Sequence, residues 1–169
     1  MKQLFAVFAL AAVAASVQAA GTVQVQFVQP EKFADVRDQA FSRERHLDLL
    51  KQLLERAAAP YVADGQTLKI DVLDVDLAGE PKRDARINDL RVLRGKADWP
   101  RIDLRYTLES PGQPARSGQA SVKDMAYLQR GVGGLPVDEP LRYERRMIDE
   151  WFKAEFKKAA LGRFGSGWA

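Results

Sequence analysis

Apolar positions change their period several times along the chain, and each change marks an element. From Thr22 to Val28 the sequence alternates. Val23, Val25 and Phe27 fall on one side and Thr22, Gln24 and Gln26 on the other, the period of a strand with one buried face. Gln29-Pro30 ends it, because proline cannot continue a sheet ladder. Glu31 to Ala40 is polar and mixed, a loop with room for one short turn. The period then lengthens to that of a helix, capped at Ser42 and running to about Ala59. Its stripe is Leu47, Leu50, Leu54 and Ala57, widened by Leu49 and Leu53, and Pro60 closes it. After Asp64-Gly65, Thr67 to Leu77 reads as a long strand whose parity slips. Ile70 and Val72 share one side, while Leu73, Val75 and Leu77 share the other. A bulge near Val72-Leu73, or burial on both faces, would reconcile the two halves.

Ala78 to Asn88 is a polar loop, Leu90 to Leu93 a short strand, and Arg101 to Glu109 the clearest strand of all. In the last, Ile102, Leu104, Tyr106 and Leu108 face inward against alternating polar residues. Ser110 to Pro114 is turn chemistry, so Ala115 to Val122 returns as a hairpin partner at a sheet edge. Met125 to Leu128 suggests one helical turn, and Gly131, Gly133 and Gly134 lead to the final helix, Glu139 to Phe156. There Pro140 is expected at the first helical position and Asp138 or Glu139 near the cap. Leu141, Ile148, Trp151, Phe152 and Phe156 form its apolar stripe. Strands with one apolar face and two amphipathic helices imply an α+β fold. The expected form is a two-layer sandwich, with a mostly antiparallel or mixed sheet of four to five strands and both helices packed on one face.

The first 19 residues follow other rules. Lys2, the apolar run Leu4 to Val13 and Val17-Gln18-Ala19 have the pattern of a signal peptide, and the run is shorter than the roughly 20 residues of a bilayer span. The expected product is a periplasmic domain over residues 20–160, with residues 161–169 as a flexible tail and no transmembrane span. Without Lys2 the formal charge falls from 26 − 23 = +3 to 25 − 23 = +2, so a pI near 9.2 does not argue for nucleic acid. The chain has no cysteine, which excludes disulfides, thiolate metal sites and thiol redox catalysis.

The candidate chemistry is sparse. Asp71, Asp74 and Asp76 form the densest carboxylate group, with Asp84 and Asp89 downstream. Hard cations favour such oxygen ligands, so Asp74 and Asp76 are the candidate metal residues, although the glycine and terminal Glu of a calcium loop are missing. Arginines crowd the middle of the chain: Arg83, Arg86, Arg91, Arg94, Arg101 and Arg105. Of these, Arg83, Arg86, Arg91 and Arg94, together with Arg142, Arg145 and Arg146 on the last helix, are the candidate contacts to a ligand or partner. His46 is the single histidine and has no G-x-S-x-G elbow to serve. Gly131 to Gly134 lacks the G-K-[ST] of a phosphate loop. Glu144, Asp149, Glu150 and Glu155 are read as wet carboxylates on a charged helix face. No catalytic residue and no cofactor is therefore assigned.

The phrases DVLDVDLAGE (Asp71 to Glu80), INDLRVLRG (Ile87 to Gly95), DWPRIDLRYTL (Asp98 to Leu108) and EPLRYERRMIDEWF (Glu139 to Phe152) carry a family likeness. The chain resembles the domain-of-unknown-function 3016 family, from about Val23 to Phe156. The resemblance implies an exported proteobacterial protein of one domain, and it supplies no catalytic residues. The expected function is a non-catalytic binding or assembly module of the cell envelope, its partner an envelope protein or an anionic envelope component. Two other readings stay open: a metal-assisted hydrolase using Asp74 and Asp76, and a peripheral binder of anionic lipid or glycan.

Overall fold

Alternation in four segments builds a single sheet. In a computed structural model the described residues are 20–35, 40–81, 91–130, 134, 136 and 139–162. Strands β1 (Thr22–Phe27), β2 (Thr67–Asp76), β5 (Arg101–Ser110) and β6 (Gln113–Lys123) lie in the order β1-β2-β5-β6. A two-residue ladder of β3 (Glu80–Pro81) and β4 (Arg91–Val92) forms a separate small sheet. β1 runs parallel to β2, while β2–β5 and β5–β6 are antiparallel, so the main sheet is mixed. Parallel neighbours need a crossover, and helix α1 (Ala40–Ala58) supplies it between β1 and β2. The fold is α+β, as the strand and helix periods imply.

The parity slip in β2 is a bulge. Val72 pairs with Leu104 and Asp74 with Asp103, which leaves Leu73 as the extra residue. Leu68, Ile70 and Val72 before the bulge and Val75 and Leu77 after it are consequently all buried. They share one core with Ile102, Leu104 and Leu108 of β5, with Leu50, Leu53, Leu54 and Ala58 of α1, and with Met147, Ile148, Phe152 and Phe156 of α2 (Arg142–Gly162). Both helices therefore cover the same face of the sheet. Burying each large aliphatic or aromatic side chain of this set contributes about 1.5–3 kcal/mol.

Rings join the layers. Tyr61 stacks on Phe152 with centroids 6.2 Å apart, and Tyr106 meets Phe156 at 5.3 Å. Tyr106 needs room from its cross-strand neighbour Gly118, where an added Cβ would stand 2.6 Å from the tyrosine oxygen. The opposite face of the sheet is polar, and among the described residues no helix covers it. Its charges pair across strands, Arg105 with Asp71 at 2.8 Å, Arg101 with Asp74 at 2.8 Å and Lys69 with Glu109 at 2.6 Å, and along β5, Arg101 with Asp103 at 2.7 Å.

Two helix starts differ from expectation. Ser42 is not a cap, because α1 already runs from Ala40. Pro140 is not the first helical residue either; α2 begins at Arg142. Leu141 takes φ +55°, a left-handed conformation uncommon for leucine, and its carbonyl accepts the first helical bond, from Arg145 N at 2.8 Å. Leu141 packs against the core, and that burial opposes the cost of its backbone. The expected signal peptide, the end of the tail at 163–169, Asp84, Asp89 and Asp138 lie outside the described residues.

Candidate functional site

The N-terminal turn of α2 meets the β2–β3 connection and the first half of α1. The connection is held by one arginine. Arg91 Nε donates to the Ala78 carbonyl at 2.8 Å, and its Nη2 reaches the Leu77 carbonyl at 3.0 Å, the Gly79 carbonyl and the Asp35 carboxylate. Asp35 in turn accepts the N–H of Leu77 at 3.1 Å. Gly79 sits at φ +75°, with Leu93 Cδ2 only 2.6 Å from where a Cβ would stand. A side chain there would close the approach of β4.

Glu144 projects from α2 into this corner and is 2 % exposed. Its Oε1 accepts the Ala78 N–H at 2.7 Å. Burial pushes the Glu144 carboxyl above the usual glutamate range, against the pull of the Ala78 N–H and the Arg91 charge. The expectation of a wet carboxylate at Glu144 is thus wrong. The position follows Leu141 by three residues and precedes Ile148 by four, so it lies within the apolar stripe itself.

A second polar set supports the corner from below. Asp98 accepts the Arg94 N–H at 2.6 Å, the Lys96 N–H at 2.8 Å and the Tyr127 hydroxyl at 2.9 Å. Burial works to raise the Asp98 carboxyl, but those three donors prevail and hold it below the usual aspartate range. Tyr127 is fully buried and pushed up to about 12 by that burial and by the bond to Asp98. Its ring meets Tyr143 edge to face at 5.1 Å.

Between these groups opens a cleft of about 380 Å³, lined by Arg45, His46 and Leu49 of α1, Ala78, Arg91, Leu93 and the residues from Glu139 to Glu144. Its size falls within the range of small-molecule sites. A larger hollow of about 710 Å³ lies on the open sheet face among Gln24, Gln26, Lys69, Asp71, Arg105 and Gln119. Its ions are cancelled in exposed pairs, whereas the cleft has a buried, displaced carboxyl in its wall. The smaller cavity is the candidate site.

The arginines expected to act together are dispersed. Arg91 and Arg142 reach the cleft, Arg142 lying over the Tyr143 ring at 4.9 Å with its Nη2 3.0 Å from the hydroxyl. Arg94 is exposed and 3.3 Å from Glu80, and Arg145 pairs with Glu139 at 2.7 Å. Arg146, a candidate contact, is turned inward: its side chain is 12 % exposed and bound to buried Asp124. The 124–130 turn packs over that side of the helix, the Tyr127 carbonyl accepting from Arg146 at 3.3 Å. Arg83 and Arg86 lie outside the described residues.

With the bulge between them, Asp71 and Asp74 fall on the same open face. Asp74 is fully engaged, one oxygen accepting the Ala34 N–H at 2.7 Å and the other the Arg101 guanidinium. Burial raises the Asp76 carboxyl, with Asp35 adding to the effect. Among the described residues no group of three or more His, Asp or Glu side chains is placed to hold a metal ion. Among the described residues the cleft lining includes no serine, threonine, cysteine or lysine; it offers charge and apolar surface together with His46 and Tyr143.

The model of a family described as protein of unknown function (DUF3016) matches residues 21–154, so the chain belongs to that family. No curated protein matches the sequence. Three of the phrases that carry the likeness, LAGE, LRVLRG and EPLRYERR, supply most of the cleft wall outside α1.

Proposed function

We propose that this DUF3016 protein is an exported, non-catalytic binding module of the cell envelope, with the cleft at the start of α2 as its binding site. One observation carries the reading: cationic, apolar and buried acidic side chains from four separate segments converge on one cavity. Export is supported by Lys2, the short apolar run and Val17-Gln18-Ala19. Among the described residues no helix is long and apolar enough to cross a membrane.

Fractionation and N-terminal sequencing test the export half, with a periplasmic product starting near Ala20 expected. Affinity capture of that product from crosslinked envelope extracts, at low and high salt, tests the binding half. A dominant component that survives high salt and disappears with Arg142→Ala is the expected result. Capture unaffected by Arg142→Ala would place binding elsewhere, and no capture at either salt would remove the reading.

A further inference from the structure

The cleft has two chemically different walls. Leu49 of α1, Leu93 after β4 and Leu141 before α2 give it an apolar side, each of them half-buried. Arg45 and Arg142 give it a cationic side. Each guanidinium carries five N–H donors in a planar fork, more than one partner uses, so both can serve an added anion alongside their present contacts. Other ions of the lining have partners too. Arg91 is bound to Asp35, Glu139 to Arg145, and Glu144 is drawn toward its neutral form by burial while accepting from Ala78. The cavity holds only a small group.

We infer that the cleft binds a carboxylate with an apolar body, its oxygens on Arg45 and Arg142 and its body against Leu49, Leu93 and Leu141. This rests on the binding-module reading and names the ligand chemistry for the same site. Two sources present that chemistry, a free organic acid and the C-terminal carboxylate of a peptide ending in an apolar residue.

Calorimetric titration of the mature chain with octanoate, with octanamide, with a short peptide ending in leucine and with its amidated form separates them. Saturable binding of octanoate or of the free-acid peptide is expected, and whichever binds identifies the source. The matched amide should bind at least about tenfold more weakly, and Arg142→Ala and Arg45→Gln should each cost about tenfold, the loss of one charge-assisted hydrogen bond. Arg45 is exposed on α1, so Arg45→Gln keeps the test independent of folding at the α2 terminus. Equal binding of acid and amide, or binding indifferent to both substitutions, would overturn the inference. So would an absence of binding by either acid, even if envelope capture still depended on Arg142; the binding module would then stand with a different ligand.

Discussion

The two halves of α2 differ in whether they bury polar groups beside their apolar ones. Its first turns place Glu144 and Arg146 inside the protein, each held by a specific partner, Ala78 N–H and Asp124. Its later turns bury Phe152 and Phe156 among Tyr61, Tyr106 and Trp151. Rings gain from burial wherever they fit, whereas a buried ion is tolerable only with its partners in place. The aromatic half is therefore stability, and the polar half is a specified geometry. The cleft opens at the polar half.

Substitutions can break this contrast in order of size. Phe152 is fully buried, and Phe152→Ala should cost about 3–5 kcal/mol in denaturant unfolding, mostly as lost burial and cavity. A loss under about 1 kcal/mol would mean that the aromatic half is not core. Asp124→Ala leaves the Arg146 charge buried without its carboxylate and should cost about 3 kcal/mol. The loss should not fall with added salt, since the pair is shielded from solvent.

Glu144→Gln acts through pH. The folded protein holds the Glu144 carboxyl above its ordinary value, so the folded state binds its proton more tightly than the unfolded chain does. That contribution is fully present below the ordinary glutamate pKa of 4.5 and is lost as pH rises through the folded value. Glutamine keeps an acceptor for Ala78 without the charge, so the variant should gain on the native protein between acid and neutral pH. Parallel unfolding curves from pH 4 to 8 check it; a constant difference would deny the buried titration. The smallest effect belongs to the open sheet face. Lys69→Ala removes a half-exposed pair with Glu109 and should cost no more than about 0.5 kcal/mol, fading with salt.

The same contrast explains what the sequence disclosed. Alternation and turn chemistry together located the four strands of the main sheet, and the parity slip in β2, which left a bulge or two-sided burial open, is resolved as a bulge at Leu73. The apolar stripe of α2 was legible down to Phe156. Glu144 is acidic by type but stands at helical spacing between Leu141 and Ile148, and the spacing is the truer guide to its burial. Its partner, the Ala78 N–H, is 66 residues away and leaves no local trace. Arg91 stands out in the sequence by charge alone, while its contacts to the Leu77, Ala78 and Gly79 carbonyls accompany a β3–β4 ladder only two residues long. Long-range polar pairing has no period, so it stays invisible until the chain is folded.

Site-directed photocrosslinking in intact cells tests the central claim most directly. A benzophenone side chain at Leu93 reports from the cleft, and one at Gln119 reports from the open face of the sheet. A discrete adduct from position 93, diminished by Arg142→Ala, with none from position 119, is the outcome predicted here. Adducts from position 119 with position 93 silent would contradict it and move the binding surface to the sheet.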